Sequence, residues 1–326
     1  MTVVRVGYSL GPMLSTREVL VCAKIADQQR NVDSLWVPES WGRESFGTLG
    51  ALSQITKRVL LGTSIVSIYA RTPATVAMAA TTLDMLSNDR TIIGLGASTA
   101  AIVENWHGVR FHNPVSRMKE YIECLKIMTS GERVNYSGQI FRVNNFKLLH
   151  EPRRTHIPIF MGAINKRMLS LASQMADGVI LYLRPLNELK RTTAELKQAT
   201  EGKTFEIASS FIFALSDKEP EKARARAAKT LAFYIAVGKY YSRFLAQNGF
   251  ENEVGQIIDG YIEGGTESAT KFVTDKMLDA LVICGNSEEC RKSLTKFLST
   301  GLTLPILQLN PVDNSETSIR GMLSTF

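Results

Sequence analysis

The chain has 326 residues, 44% of them hydrophobic and 21% charged, with a formal net charge of +7 at pH 7. These values are typical of a soluble globular enzyme. No run of about 18 apolar residues occurs and the N-terminal segment lacks a signal-peptide cleavage pattern, so we expect neither a membrane span nor secretion. Lys and Arg are spread along the chain, which favours an anionic small molecule over nucleic acid as the partner.

The cysteines and histidines indicate no metal site. Cys22, Cys124, Cys284 and Cys290 form no CxxC pair, which is typical of reduced core thiols and of a cytoplasmic protein. His107 and His112 lack the spacing of a metal motif. We therefore expect no bound metal.

The first third of the chain alternates between strands and helices. Residues 3–10 and 34–37 are predicted strands, and helices are predicted over 16–29 and 46–56. Residues 59–98 continue this pattern with strands at 59–62 and 91–96 and a helix that begins at Pro73. Two apolar strands joined by one helix predict a parallel sheet, and ligands bind at the carboxyl ends of such strands.

The remaining chain keeps the alternation but contains two insertions. A long helix is predicted from Pro114 to Met128, and residues 133–143 predict a hairpin that turns at Ser137-Gly138. This insertion, near 131–156, is expected to form a lid or wall of a site, and a second, helical insertion is expected near 248–276. Five further strands are predicted, at 157–162, 177–182, 205–215, 280–285 and 304–309.

The helices predicted between these strands cover 166–176, 186–200, 219–245 and 288–299. Alternation over the whole length without a linker predicts a single α/β domain over residues 1–326, a (β/α)8 TIM barrel. A doubly wound sheet is the alternative.

Several segments carry a family resemblance. They are Gly62-Thr63-Ser64-Ile65-Val66-Ser67-Ile68-Tyr69-Ala70-Arg71-Thr72-Pro73, residues 82–87, Arg90, residues 94–97, 157–163, 176–180 and 232–236, and more loosely 285–301. With these segments the chain resembles the bacterial-luciferase-like superfamily of flavin and deazaflavin oxidoreductases. Within it, the chain is most similar to the coenzyme F420-dependent methylenetetrahydromethanopterin reductases.

The resemblance implies a set of cofactor-binding residues. The Ser64-Ile65 peptide is expected to be cis and to form a bulge that supports the cofactor ring. The turn after the strand at 91–96 lets backbone approach a flat ring or a phosphate, although such a turn also occurs without a ligand. The turn at 162–167 leads into a helix start, which favours the cofactor phosphate, the alternative being a capped loop with solvated basic residues. The expected set is Ser64, Ile65, Gly96, Ala97, Ser98, Gly162, Ala163, Asn165, Lys166 and Arg167.

The catalytic and substrate-binding expectations are fewer. Glu39 is the candidate proton donor, the alternative being an exposed carboxylate, and Trp41 is expected to pack on cofactor or substrate. Relatives often place His after this acid, where the chain has Ser40. The reductases tend to carry acids at two positions occupied here by Ser9 and Thr99, so these two side chains are expected to face a substrate that need not be a pterin.

The resemblance implies hydride transfer between coenzyme F420 and a small electrophile, such as methylenetetrahydromethanopterin reduced to its methyl form. An FMN-dependent luciferase-like monooxygenase is the first alternative, and a non-catalytic flavin-binding barrel is the second. The family's habit of pairing barrels through helices predicts a homodimer or higher homo-oligomer. No nucleic-acid or membrane partner is expected.

Overall fold

The computed structural model describes residues 4–40, 42–313 and 316–326. Its strands are β1 (Val6–Ser9), β2 (Val32–Val37), β3 (Leu60–Thr63), β4 (Val66–Ser67), β5 (Thr91–Gly96), β6 (Val134–Ser137), β7 (Arg142–Phe146), β8 (Ile159–Gly162), β9 (Gly178–Tyr182), β10 (Glu206–Leu215), β11 (Ile283–Gly285) and β12 (Leu304–Leu309). The helices between them are α1 (Thr16–Asp27), α2 (Ser45–Ile55), α3 (Pro73–Ser87), α4 (Ala100–Asn105), α5 (Pro114–Thr129), α6 (Lys166–Met175), α7 (Leu186–Ala199), α8 (Pro220–Val237), α9 (Lys239–Leu245), α10 (Glu251–Thr270), α11 (Asp275–Leu281), α12 (Ser287–Leu298) and α13 (Glu316–Leu323). Parallel strands that alternate with helices make a (β/α)8 barrel, as the sequence predicts.

The residues group into two compact units. Unit 1 comprises Met1–Asp33, Leu181–Glu201 and Ile207–Phe326, and unit 2 comprises Ser34–Ile180 and Gly202–Glu206. In unit 1 the parallel strands follow the order β11, β10, β12, β1. In unit 2 the parallel order is β2, β3, β5, β8, β9, and β4 lies beside β5. The organisation of residues 1–326 as one domain stays a prediction.

Helix starts follow local capping chemistry. The Ser15 hydroxyl accepts the backbone N–H of Glu18, and the Glu18 carboxylate accepts the N–H of Ser15, which completes a capping box for α1. At α3 the Thr72 side chain accepts the N–H of Thr75, and Pro73 occupies the first helical position as predicted. These caps satisfy backbone donors that the first helical turn leaves without partners.

A buried arginine links the ends of α2 and α3. Arg90 is 8% exposed, and its Nη2 donates to the carbonyls of Ser53 and Thr56 at 3.2 and 2.8 Å. Its Nη1 donates to the Val59 carbonyl at 2.7 Å and its Nε to the Ser87 carbonyl at 2.6 Å. Arg90 contributes to the family resemblance although it is not one of the predicted site residues. Its hydrogen bonds fix the conformation of the chain, which gives it a structural role.

Two helical segments differ from the sequence prediction. The six-residue helix α4 was not predicted; Thr99 starts it by accepting the N–H of Ile102. The single helix predicted over 219–245 is wrong, because α8 ends at Val237 and α9 starts after Gly238. Gly238 adopts φ −100° and ψ 76°, which is not helical, and its N–H bonds to the Tyr234 carbonyl. The segment Ala246–Phe250 that follows is π-helical.

The first insertion is a β6–β7 hairpin that packs on α5. Its strands pair antiparallel, and the Tyr136 hydroxyl donates to the Glu123 carboxylate of α5 at 2.7 Å. The Glu120 carboxylate accepts the N–H groups of Gln139, Ile140 and Phe141 at 3.0, 2.9 and 3.0 Å. Together these bonds hold the hairpin turn against α5, where it forms a wall along the helix.

Residues 248–276, expected as a helical insertion, contain α10, which is interrupted by non-helical backbone at Gly264 and Gly265. Among the helices of the described residues, none combines the length and apolar character needed to cross a membrane.

Candidate functional site

A cis peptide lies at the carboxyl end of β3. The bond between Ser64 and Ile65 is cis, in agreement with the resemblance. The Ser64 N–H donates to the Val37 carbonyl at 3.0 Å, and the Glu39 N–H approaches the Ile65 carbonyl at 3.4 Å. The end of β2 therefore holds this bulge in place through backbone groups.

The Ile65 side chain fills the space beside Gly96 and lies at ordinary van der Waals distance from Gly162. A Cβ on Gly96 would lie 2.5 Å from Ile65 Cδ1, and a Cβ on Gly162 would lie 3.5 Å from Ile65 Cγ2. Contacts below about 3 Å do not occur between real carbon atoms, so residue 96 must be glycine while Ile65 stays where it is. The structure thus brings Ile65, Gly96 and Gly162 together at the carboxyl ends of three neighbouring strands.

The Ser64 hydroxyl is buried and has no hydrogen-bond partner among the described residues. A buried hydroxyl without a partner costs free energy, which is a common property of groups that meet a ligand. This atom and the glycines beside Ile65 are what a flat ring with polar edges requires.

The turn after β5 directs the chain into α4. Ala97, Ser98 and Thr99 are partly buried, and Ser98 adopts a left-handed φ of 61°. The Thr99 hydroxyl is used as the cap of α4. Ala97 and Ser98 therefore offer mainly backbone to a ligand.

A cleft of about 590 Å³ opens where two helices begin. It is lined by Asn113, Pro114, Val115, Ser116, Asn165, Lys166 and Arg167. Helix α5 starts here without a side-chain cap from Asn113; Pro114 has no N–H and the Arg117 N–H bonds the Asn113 carbonyl, so Val115 and Ser116 supply the uncapped N–H groups of the first turn. Helix α6 starts with the Asn165 side chain accepting the N–H of Met168 at 3.0 Å. Two helix N-termini directed at one cleft favour an anion.

Two cationic side chains add to the positive field of the two helix N-termini. Lys166 and Arg167 line the cleft and are exposed. In the described part of the chain, neither side chain forms a salt bridge, so both charges are available to a ligand. The loop from Gly162 to Asn165 connects the residues around Ile65 with this basic cleft.

Glu39 lies in an ion pair with Arg71. Arg71 Nη2 is 2.6 Å from Glu39 Oε1, and its Nε is 3.1 Å from Oε2. Ser45 N–H also donates to Oε1 at 3.3 Å, and the carboxylate is 17% exposed. The hydrogen bond to Glu39 raises the pKa of the Arg71 guanidinium. Both carboxylate oxygens accept donors, an arrangement typical of a charged, position-holding side chain.

The remaining predicted residues belong to both units. Ser9 ends β1 in unit 1 and is 5% exposed, whereas Glu39, Thr99 and all the predicted cofactor residues belong to unit 2. Trp41 lies outside the described residues. Arg71 and the start of α5 were missed, although Pro114 after a polar stretch indicated a helix start that could bind an anion.

A family model described as luciferase-like monooxygenase matches residues 1–304. A putative coenzyme F420-dependent oxidoreductase from Mycobacterium tuberculosis is 29% identical over 86% of this chain and 88% of its own. A 5,10-methylenetetrahydromethanopterin reductase from Methanolobus tindarius is 29% identical over 91% of this chain and 92% of its own.

The fold is also found in a solved structure. The coenzyme F420-dependent tetrahydromethanopterin reductase from Methanopyrus kandleri superposes with a TM-score of 0.87, at 21% identity over 99% of this chain and 98% of its own. With a family model that covers nearly the full length, the chain belongs to the luciferase-like monooxygenase family.

Proposed function

We propose that this protein is an oxidoreductase that uses coenzyme F420 to transfer a hydride to or from a small substrate. The observation that carries the proposal is the single loop that leads from Gly162, beside Ile65, to the basic cleft of Asn165, Lys166 and Arg167. A cofactor that has a flat ring joined to a phosphate-bearing tail needs a site for the ring followed directly by a basic site for the tail.

The residues fit both parts of this cofactor. Gly162 is partly buried and leaves backbone beside Ile65 without a side chain, and the Ser64 hydroxyl can bond a polar ring edge. The cleft of about 590 Å³ offers free N–H groups of α5 and two cations to phosphate and carboxylates. When bound, the deazaflavin supplies the carbon that accepts or donates the hydride. The chain holds and orients it.

The relatives named above support F420 and suggest a methylene-carrying pterin as one substrate. Ser9 and Thr99 stand where acids were expected, and Thr99 is used as a helix cap. We therefore propose the cofactor and reaction type and leave the pterin as one candidate. Glu39 as the proton donor stays a prediction, since its contacts with Arg71 favour a role in holding position.

The second candidate is an FMN-dependent monooxygenase, which the description of the matching family favours. FMN has a flat ring and a phosphate as well, so the same two environments suit it. Two measurements distinguish the F420 hypothesis from the FMN hypothesis: which cofactor binds, and whether the reduced complex consumes oxygen. A flavin-binding barrel without catalysis is the outcome if a cofactor binds and no turnover follows.

The test is a calorimetric and fluorescence titration of the purified chain with F420 and, separately, FMN. The double variant Lys166→Ala/Arg167→Ala should weaken F420 binding about 5- to 30-fold, since each exposed cation contributes roughly 0.5–1 kcal/mol. The matched control is Lys190→Ala/Arg191→Ala, an adjacent Lys-Arg pair in α7.

The control should bind F420 like the unaltered chain. Tighter binding of FMN than F420 would move the protein to the monooxygenase reading. If the double variant and the control bound F420 with equal affinity, Lys166 and Arg167 would not belong to the cofactor site.

We also propose that the chain forms a homodimer through α2 and α3. Helix α2 carries no charged residue, and the one charge of α3, Asp84, is buried against Arg154. Met78 and Leu86 of α3 are 48% and 49% exposed. A two-fold interface places identical faces together, and a face without exposed charge does so without like-charge repulsion. The buried free cysteines support a cytoplasmic location.

A further inference from the structure

Tyr69 lies in the loop that leads from β4 to α3, next to the residues predicted to meet the cofactor ring. The Ile68 N–H donates to the Gly96 carbonyl at 3.0 Å, so residue 68 is fixed beside the glycine that faces Ile65. The Tyr69 N–H donates to Ser67 Oγ at 3.2 Å, and Tyr69 is buried. The backbone from which the Tyr69 side chain extends is therefore held by β4 and β5.

The Tyr69 side chain reaches the loop that precedes α5. Its hydroxyl donates to the His112 carbonyl at 2.7 Å. Its ring stacks on Phe111, with the two centroids 5.0 Å apart and an interplanar angle of 30°. Residues 113–116 follow directly and form one wall of the cleft of about 590 Å³. The chain is thus attached to Tyr69 immediately before it enters this wall.

Arg117 attaches the other end of the same wall. Its guanidinium lies over the Tyr69 ring, with Cζ 4.6 Å from the ring centroid. Its Nε donates to the Ile68 carbonyl at 3.1 Å, and the Phe141 ring of the β6–β7 hairpin is 4.8 Å from Cζ. Residues 113–116 are therefore bounded on both sides by contacts with Tyr69, through the loop before them and through Arg117 after them.

These contacts set the position of the wall of residues 113–116 relative to the Ser64-Ile65 bulge. The Tyr69 ring is fixed by the stacking and cation–π contacts, so its hydroxyl holds the His112 carbonyl at a definite place. A ligand that spans two environments binds more tightly when their separation is fixed before it arrives. If the wall also populated other positions, the apparent affinity would fall in proportion to the binding-competent fraction.

We propose that Tyr69 is a positioning residue that fixes the wall of residues 113–116 relative to the Ser64-Ile65 bulge, so that the cleft takes the anionic tail of a cofactor whose ring lies at the bulge. This role rests on the proposed function for the identity of the ligand. An inorganic anion bound in the cleft reports on the same wall without any ring, which separates the two.

Three probes test the role of Tyr69 in binding to the full chain. Inorganic pyrophosphate carries charge without a ring, F420 carries both, and the dephosphorylated deazaflavin carries the ring and ribityl chain without the anionic tail. Dissociation constants are measured by calorimetry for pyrophosphate and by fluorescence for the two deazaflavins. Circular dichroism on every variant shows whether it is folded.

Tyr69→Phe removes the hydroxyl and keeps the ring. It should weaken the binding of pyrophosphate and of F420 about threefold to fivefold, the size expected for one lost hydrogen bond. The affinity for the dephosphorylated deazaflavin should stay unchanged, because this molecule makes no use of the cleft. Tyr69→Leu also removes the stacking, and its loss of pyrophosphate affinity should be larger than that of Tyr69→Phe.

Tyr136→Phe is the matched control. The Tyr136 hydroxyl donates to the Glu123 carboxylate of α5 at 2.7 Å, the same length as the bond from Tyr69 to His112. This variant removes a bond to the same helix away from the cleft, so it should lower the melting temperature and leave all three affinities unchanged. A general loss of stability is thereby distinguished from a change in the cleft.

Three results would overturn the positioning role. They are an unaltered chain that does not bind pyrophosphate at millimolar concentration, a folded Tyr69→Phe that binds pyrophosphate like the control, and equal losses of affinity for F420 and the dephosphorylated deazaflavin. If the unaltered chain binds pyrophosphate but not F420, and Tyr69→Phe weakens the binding of pyrophosphate, the proposed function is overturned and the positioning role of Tyr69 is supported.

Discussion

The Glu120 carboxylate occupies the space beside Gly138 that a side chain there would need. A Cβ on Gly138 would lie 2.7 Å from Glu120 Cδ, closer than carbon atoms approach. The absence of that Cβ lets the carboxylate reach the three N–H groups of the hairpin turn. Burial alone would raise the pKa of Glu120, but the three backbone hydrogen bonds outweigh it and lower the pKa below 4.5.

Replacing Glu120 with Gln should lower the free energy of unfolding by about 1–3 kcal/mol, because the amide keeps only one acceptor oxygen, sets an NH2 group against the remaining backbone N–H and removes the charge. Since the folded pKa of Glu120 is depressed, this contribution is complete above the unfolded value of about 4.5 and declines as the pH falls through the folded value. Urea unfolding at pH 7 and pH 3.5 measures it.

The control is Glu132→Gln, an exposed carboxylate at the start of the same insertion. It should change the free energy of unfolding by less than about 0.5 kcal/mol at either pH. An equal loss of stability in both variants would contradict the assigned role of Glu120.

Arg154 and its neighbour Arg153 should differ strongly in importance. Arg154 forms a two-point ion pair with Asp84 at 2.9 and 2.7 Å, and the Asp84 side chain is 4% exposed. Arg154→Met should cost about 3–5 kcal/mol, because it leaves a buried carboxylate without its cation. Arg153 pairs with the exposed Asp89, so Arg153→Met should change stability by less than about 0.5 kcal/mol.

Thermal and denaturant unfolding of the two variants distinguish these effects directly. If Arg153→Met proved as harmful as Arg154→Met, the loss would come from helix packing or chain entropy rather than from the buried ion pair.

If the chain forms the proposed dimer, a single charge introduced on α3 should separate the subunits. Met78→Glu and Leu86→Glu each place a carboxylate at the face that the two copies would share, where like charges repel across the two-fold axis. Sedimentation velocity should show the unaltered chain as a dimer and each variant as a monomer. Ile262→Glu changes an equally apolar residue, 77% exposed, on α10, and its dimer should persist. A monomeric unaltered chain contradicts the interface.

The ion pair of Glu39 and Arg71 gives a prediction for catalysis. Glu39→Gln keeps an oxygen acceptor but removes the charge, so we expect a lower melting temperature and an unchanged shape of the pH–rate profile. Disappearance of one limb of that profile would instead identify Glu39 as the proton donor.

The periodic parts of the fold were predictable from the sequence. The predicted strands at 91–96, 177–182 and 304–309 match β5, β9 and β12 within a residue, because runs of buried apolar residues bounded by turns have few other interpretations. Helix α3 began at Pro73 as predicted, since proline at the first helical position has a clear local cause.

The rest depends on contacts between distant residues. The break at Gly238 arises from one residue's backbone conformation within a helix-favouring sequence. The pairing of Glu39 with Arg71 joins residues 32 positions apart, and the cleft brings the starts of α5 and α6 together. Propensity carries no information on such partners.

The contact of Ile65 with Gly96 links two positions far apart in the chain, because a side chain at residue 96 would need the volume that Ile65 occupies. Related proteins should vary at these positions in a correlated way, with a larger residue at 96 accompanied by alanine or glycine at 65. In this chain the pair Gly96→Ala and Ile65→Ala should be better tolerated together than Gly96→Ala alone, because the first methyl group would then fill space that the second change vacates. The residues at positions 65 and 96 are therefore expected to change together in evolution, and the shape of the surface presented to a ligand changes with them.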